Sequence, residues 1–168
     1  MTKFAIRYTL LFLLLVPAQG VIFDHLTLFG VAIPLVFIWL ITALPVTIGT
    51  NLSLLLGFAA GFGVDIFCDT PGLNALCCTI LAFVRKPLFH LYVSYDDDIG
   101  GRSPSSASMG HYPFMKYLLT AVALYCIMLF TVEAFHFFNL KMLCLRIICS
   151  TAYTFAWLFA FDCLVPRR

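Results

Sequence analysis

Charged residues are scarce in this sequence. Only 11% of its 168 residues are Asp, Glu, Lys or Arg, against about 25% in a typical soluble domain. Apolar residues make up 62% of the chain and its mean hydropathy is +1.02. A chain of this length has room for five or six spans of about 20 residues and for no separate soluble domain. We therefore predict an integral membrane protein.

The sequence also lacks the motifs of several function classes. It contains no GxSxG, HExxH or P-loop pattern and no paired aspartates within its apolar runs, which argues against a hydrolase, a nucleotide-binding protein or a protease. Its basic residues are scattered, which argues against nucleic acid as a partner. We expect no enzymatic activity and no cofactor.

The cysteines predict no disulfide framework and no metal site. They are odd in number, and nearly all lie in apolar runs, where a free thiol behaves as a small apolar side chain. The cysteines are Cys68, Cys77, Cys78, Cys126, Cys144, Cys149 and Cys163.

Six apolar runs predict an all-α membrane bundle with one domain over 1–168. The first run follows Lys3 and Arg7 and resembles a secretory signal, but the closeness of the further runs favours an uncleaved helix. Pro34 and Pro45 bracket the second run, which we expect to be distorted. A polar stretch at 96–111 is predicted to be a mobile loop. The predicted spans are 4–23, 30–46, 51–67, 73–90, 113–138 and 142–164.

Positive residues predict the orientation of the bundle. With six spans, eight of the ten fall on the side of the N-terminus, and only Lys141 and Arg146 fall on the other side. Short cytoplasmic segments are enriched in Lys and Arg, so both termini are predicted to be cytoplasmic.

The third and fourth runs contain the most distinctive pattern. Gly57, Gly61 and Asp65 share one face of a helix, where glycines allow close approach of another helix. Pro71 and Gly72 then suit a type II turn. The glycines could pack within the chain or mediate dimerisation. Asp65 could hold a partner, a proton or a cation, or it could be a helix-end acid that bonds to nearby backbone or is solvated at the surface.

Two further charges lie at matched depth across the last tight turn. A salt bridge between Glu133 and Arg146 would explain why both stand in apolar runs. Glu133 and His136 also have the i, i+3 spacing of metal ligands, but the chain contains no second such pair.

The hairpin pattern resembles a known family. Gly61-x-x-x-Asp65, a short bridge and Pro71-Gly72-Leu73-Asn74-Ala75-Leu76 are similar to the signature of the bacterial rod shape-determining MreD proteins. Glu133, late in the fifth span, also fits that family. Asn74 departs from it, because many members have histidine there, so no histidine role carries over.

The resemblance implies a non-enzymatic scaffold of the bacterial inner membrane. Such proteins work beside the bitopic protein MreC in the machinery that elongates the cell wall, together with MreB, RodA and the transpeptidase PBP2. Their fold is similar to the six-helix substrate-binding subunits of vitamin-uptake transporters. That similarity suggests an alternative function, a small-molecule-binding transporter subunit that uses Asp65, Asn74 and Glu133 around a cavity.

Overall fold

The structure is a computed structural model that describes residues 2–23, 26–27, 32–93, 104, 109–134 and 140–164. These residues form six α-helices. They are α1 (Thr2–Ala18), α2 (Trp39–Thr42), α3 (Thr50–Cys68), α4 (Leu73–Tyr92), α5 (His111–Glu133) and α6 (Leu140–Leu164). A π-helical turn (Gln19–Phe23) extends α1, and a 3-10 turn (Val36–Ile38) leads into α2.

Four of these helices are long and apolar enough to cross a membrane: α3, α4, α5 and α6. Tyr8–Phe23 forms a shorter apolar helix. The predicted all-helical character is confirmed over the described residues. Pro87 does not end α4, which runs on to Tyr92. The predicted loop at 96–111 lies outside the described residues except for Pro104 and 109–111.

The second predicted span, 30–46, is not a continuous helix. Residues 33–35 have no regular structure, and the 3-10 turn and the four-residue α2 follow them. Pro34 and Pro45 bracket the helical part and cannot donate backbone hydrogen bonds, so a regular helix cannot extend far through either position. Expecting distortion from these prolines was correct, but a helical span over this stretch was wrong.

This broken segment nevertheless returns the chain across the bundle. Gly63 of α3 lies against Val16 of α1, and Phe67 lies against Gly20. Contacts that advance by four residues on both helices mean that α1 and α3 run parallel. The chain between them must therefore travel back from the end of α1 to the start of α3.

The broken segment also forms the centre of the core. Val36, Phe37, Ile38 and Ile41 are completely buried. The ring of Phe37 contacts Tyr125 of α5 edge-on, with ring centroids 5.8 Å apart. The short helical turns that follow the irregular residues 33–35 are thus among the most enclosed parts of the structure.

Glycines bring α3 and α4 into direct backbone contact. A Cβ atom added at Gly61 would lie 2.6 Å from the Cα of Ala75, and one added at Gly57 would lie 2.9 Å from the carbonyl oxygen of Cys78. Neither position has space for a side chain. Of the two roles considered for this glycine face, the contacts are those of packing within the chain.

We expect Gly61→Ala to lower the free energy of unfolding in detergent by about 1–3 kcal/mol, because the added methyl must push the two helices apart. Gly49→Ala is the matched control, since nothing lies within 4 Å of a Cβ atom there. It should cost less than about 1 kcal/mol, from a weaker N-cap alone. Equal stability of Gly61→Ala and wild type would contradict this packing.

Candidate functional site

Asp65 lies at the junction of α3 and α4 and is only 5% exposed. Its Oδ1 atom accepts hydrogen bonds from the backbone N–H of Asn74 (3.0 Å), the Asn74 side-chain amide (3.0 Å) and the Thr70 hydroxyl (2.5 Å). Its Oδ2 atom accepts one from the backbone N–H of Ala75 at 2.8 Å. The carboxylate is therefore surrounded by donors.

Two of these donors belong to the first turn of α4. A helix leaves its first N–H groups without partners, and an N-cap side chain normally accepts from them. The N-cap of α4 is Gly72, which has no side chain. Asp65 supplies the missing acceptor from the preceding helix, and its negative charge stands at the positive end of the α4 dipole.

The chain reverses direction between the two helices through left-handed backbone. Asp69 ends α3 with a φ of 54°, and Gly72 precedes α4 with φ 75° and ψ 8°. The Gly72 angles are those of the third position of a type II turn, as the pair Pro71-Gly72 predicts. This tight reversal sets Asp65 beside the first turn of α4.

Asn74 extends the cluster to a third helix. Its side-chain oxygen accepts a hydrogen bond of 2.7 Å from the hydroxyl of Tyr125 on α5, while its amide donates to Asp65 and Thr70. Both residues are buried. We call Asp65, Thr70, Asn74 and Tyr125 the hairpin cluster; it links α3, α4 and α5 through hydrogen bonds.

These contacts match one of the two interpretations of Asp65. It is a helix-end acid bonded to nearby backbone, the N–H groups of Asn74 and Ala75, and its other two hydrogen bonds come from the neighbouring side chains of Thr70 and Asn74. Both oxygens already accept from protein donors, so the structure supplies a structural reason for the acid within the apolar chain.

Arg85 of α4 provides a second buried polar contact, near the other end of the hairpin. Its side chain is 2% exposed. The guanidinium donates from Nη1 to the carbonyl oxygen of Leu44 and from Nη2 to that of Pro45, at 3.1 Å for the second contact. Tyr117 of α5 donates to the nearby Thr42 carbonyl at 3.4 Å. These donors satisfy carbonyls where α2 ends, as basic side chains do at helix C-termini.

A third set of contacts holds residues 33–36. Ile33 donates from its backbone N–H to Ser150 Oγ at 3.2 Å, and Leu35 donates to Thr154 Oγ1 at 3.0 Å. Both hydroxyls belong to α6 and are fully buried. Pro34, between the two donors, has no N–H to satisfy.

Gln19 covers the opposite side of the same stretch. Its amide nitrogen donates to the Pro34 carbonyl at 2.8 Å, and its amide oxygen accepts from the Val36 N–H at 2.9 Å. A neighbouring parallel β-strand would make the same pair of hydrogen bonds, one to the carbonyl of Pro34 and one from the N–H of Val36. Every N–H from residue 33 to 36 therefore has a side-chain partner.

The spacing of these contacts follows from backbone geometry. Two extended residues advance about 6.6 Å, and four helical residues advance about 6 Å. Ile33 and Leu35 therefore stay in step with Ser150 and Thr154. We call residues 33–36 with Gln19, Ser150 and Thr154 the broken-span clasp.

The predicted salt bridge between Glu133 and Arg146 is present at 3.4 Å. Its side chains are about half exposed, at 48% and 44%, so it contributes little to stability in water. His136 lies outside the described residues. Within the described part of the chain, no three His, Cys, Asp or Glu side chains are placed to hold a metal ion.

Sequence reasoning did not single out seven residues whose side chains make these contacts: Gln19, Thr70, Arg85, Tyr117, Tyr125, Ser150 and Thr154. One signal was available for three of them. Gln19, Ser150 and Thr154 are polar residues inside apolar runs, as Asp65 is. What they bind could not be read from the sequence, because their partners are backbone groups.

No family, curated protein or solved structure matches this chain in the comparisons. The resemblance to MreD proteins therefore depends on the hairpin residues and the arrangement of the apolar runs.

We expect Asp65→Asn to lower the free energy of unfolding by about 1–3 kcal/mol, because an amide turns an N–H₂ group toward donors and leaves one of them unsatisfied. Tyr125→Phe should cost a similar or smaller amount, about 1 kcal/mol, through the lost bond to Asn74. Unfolding of the purified protein in detergent measures both.

The control for the hydroxyl deletion is Tyr112→Phe, at a ring that is 70% exposed; it should leave stability unchanged. Wild-type stability of Asp65→Asn would show that the carboxylate does not cap α4.

Proposed function

We propose that this chain is a non-enzymatic scaffold of the bacterial inner membrane, similar to MreD proteins, that acts in cell-wall elongation and rod shape. Its partners would be an MreC-like bitopic protein and, through it, RodA and PBP2. Both termini would lie in the cytoplasm. The function would consist of holding partner spans in place by packing in lipid.

The hairpin is the observation that carries this proposal. Four residues of the MreD-like pattern have a place in one joint: Gly61 contacts the α4 backbone, Asp65 caps α4, Gly72 makes the turn, and Asn74 reaches Tyr125. Such a joint gives α3 and α4 a fixed relative position. A fixed pair of helices suits a protein that works by presenting a surface.

The partner surface that we propose is the outer side of α3. Its inner side is occupied by α4 through Gly57 and Gly61, so contact with another chain must use the opposite side. There Leu55, Phe58, Phe62 and Ile66 are each at least half exposed. The rings of Phe58 and Phe62 stack with centroids 5.8 Å apart and offer a rigid apolar face to a neighbouring helix.

One observation favours the transporter-subunit alternative, and another argues against it. Transporters often bind substrates at discontinuous helices, and the second predicted span, 30–46, is not a continuous helix. However, Asp65 and Asn74 are used in the hairpin cluster. Glu133 lies about 12 Å further along α5 than Tyr125 and pairs with Arg146 at the exposed side. The three residues that this alternative requires do not converge.

Depletion of the protein in its host should make rod-shaped cells round, and expression of the wild type should restore the rods. The double variant Phe58→Ala/Phe62→Ala should insert and fold but fail to restore shape or to co-purify an MreC-like partner. Microscopy and tagged pull-down from detergent extracts measure these outcomes.

Leu13→Ala is the control, because Leu13 is 71% exposed on α1; it should restore shape as the wild type does. Rods that persist after depletion would count against the scaffold. A small molecule retained through purification, found by mass spectrometry, would favour the transporter alternative.

A further inference from the structure

The broken-span clasp joins parts of the chain that are far apart in sequence. Ser150 lies 117 residues after Ile33, and Thr154 lies 119 residues after Leu35. The N–H groups of Ile33 and Leu35 are bonded to α6 hydroxyls. The conformation of residues 33–36 therefore depends on α6.

An apolar surrounding makes this dependence strong. Water is absent from such a core, so a backbone group that loses its partner stays unsatisfied at considerable cost. If α6 moved away, Ile33 and Leu35 would lose their acceptors together. Pro34 has no N–H that could help this stretch to form a regular helix instead.

α6 is also the spanning helix that the rest of the molecule covers least. Only 17% of its apolar stretch is buried inside the molecule, against 33%, 39% and 44% of the corresponding stretches of α3, α4 and α5. Its fully buried residues include Ser150, Thr154 and Leu158, at intervals of four on a single face. The two hydroxyls therefore lie on the face by which this helix packs against the core, beside half-buried apolar residues such as Leu143, Ile147 and Trp157.

We propose that α6 is a latch for the stretch at 33–36: docking of α6 and the non-helical conformation of residues 33–35 form one coupled event. The Ser150 and Thr154 hydroxyls hold the stretch on one side, and Gln19 holds it on the other. Release of either side loosens the whole clasp. The coupling is independent of the proposed scaffold function, because it concerns contacts within a single chain.

Hydrogen exchange of the purified full-length protein in nanodiscs tests the latch. In Ser150→Ala/Thr154→Val, amides in 33–36 should exchange roughly tenfold faster or more, since Ile33 and Leu35 lose their acceptors and the bond from Thr154 to the Ile33 carbonyl is lost as well. Peptides from the α3–α4 hairpin should keep the wild-type rate. Thr120→Val is the control, because the Thr120 hydroxyl bonds only to carbonyls of its own helix.

The reciprocal variant distinguishes coupling from a local effect. Gln19→Met removes the partner of Pro34 and Val36 without deleting an α6 hydroxyl. Coupling is reciprocal, so exchange should also rise in α6 around 150–158. A rise confined to 33–36 in Gln19→Met would overturn the latch. So would unchanged exchange at 33–36 in Ser150→Ala/Thr154→Val, or a uniform rise over the whole chain. If the double variant cannot be purified, Gln19→Met decides alone.

Discussion

One constraint organises this structure: a backbone that leaves regular helix inside an apolar bundle must find its hydrogen-bond partners in the protein. The chain departs from helix at the hairpin, at the end of α2 and at residues 33–36. At each place buried polar side chains supply the partners. Asp65 accepts from the first turn of α4, Arg85 donates to the carbonyls after α2, and the clasp satisfies residues 33–36.

This constraint also explains why polar residues are few and where they lie. A charged or amide side chain within an apolar run is costly, and Asp65, Arg85 and Gln19 are each matched to backbone groups that would otherwise be unsatisfied. Side chains committed in this way are poorly suited to substrate chemistry, because their donors and acceptors are occupied. A protein built like this has its outer surfaces left for function, which is the physical basis for proposing a scaffold.

The sequence was informative where the pattern is local. Hydropathy located the long helices to within a few residues, apart from the last residues of the fifth run, which the structure does not describe. The spacing of Gly57, Gly61 and Asp65 indicated a packed face, and Pro71-Gly72 indicated the turn. The prediction from sequence failed at 30–46. The apolar composition there is typical of a helix, but the backbone is held by residues more than 110 positions away. Local periodicity carries no information about such partners. For the same reason the role of Arg85 could not be predicted, because its guanidinium is buried on the carbonyls of Leu44 and Pro45.

The most direct test is the exchange of single backbone amides in the wild-type protein, measured by NMR in a lipid environment. The N–H groups of Leu35, Asn74 and Ala75 stand outside regular helix or in a first helical turn, where only side chains protect them. The account predicts that they exchange as slowly as amides in the middle of α3. Exchange as fast as that of the exposed residues 47 and 49 would mean that buried side chains do not satisfy the irregular backbone, and the account would be wrong.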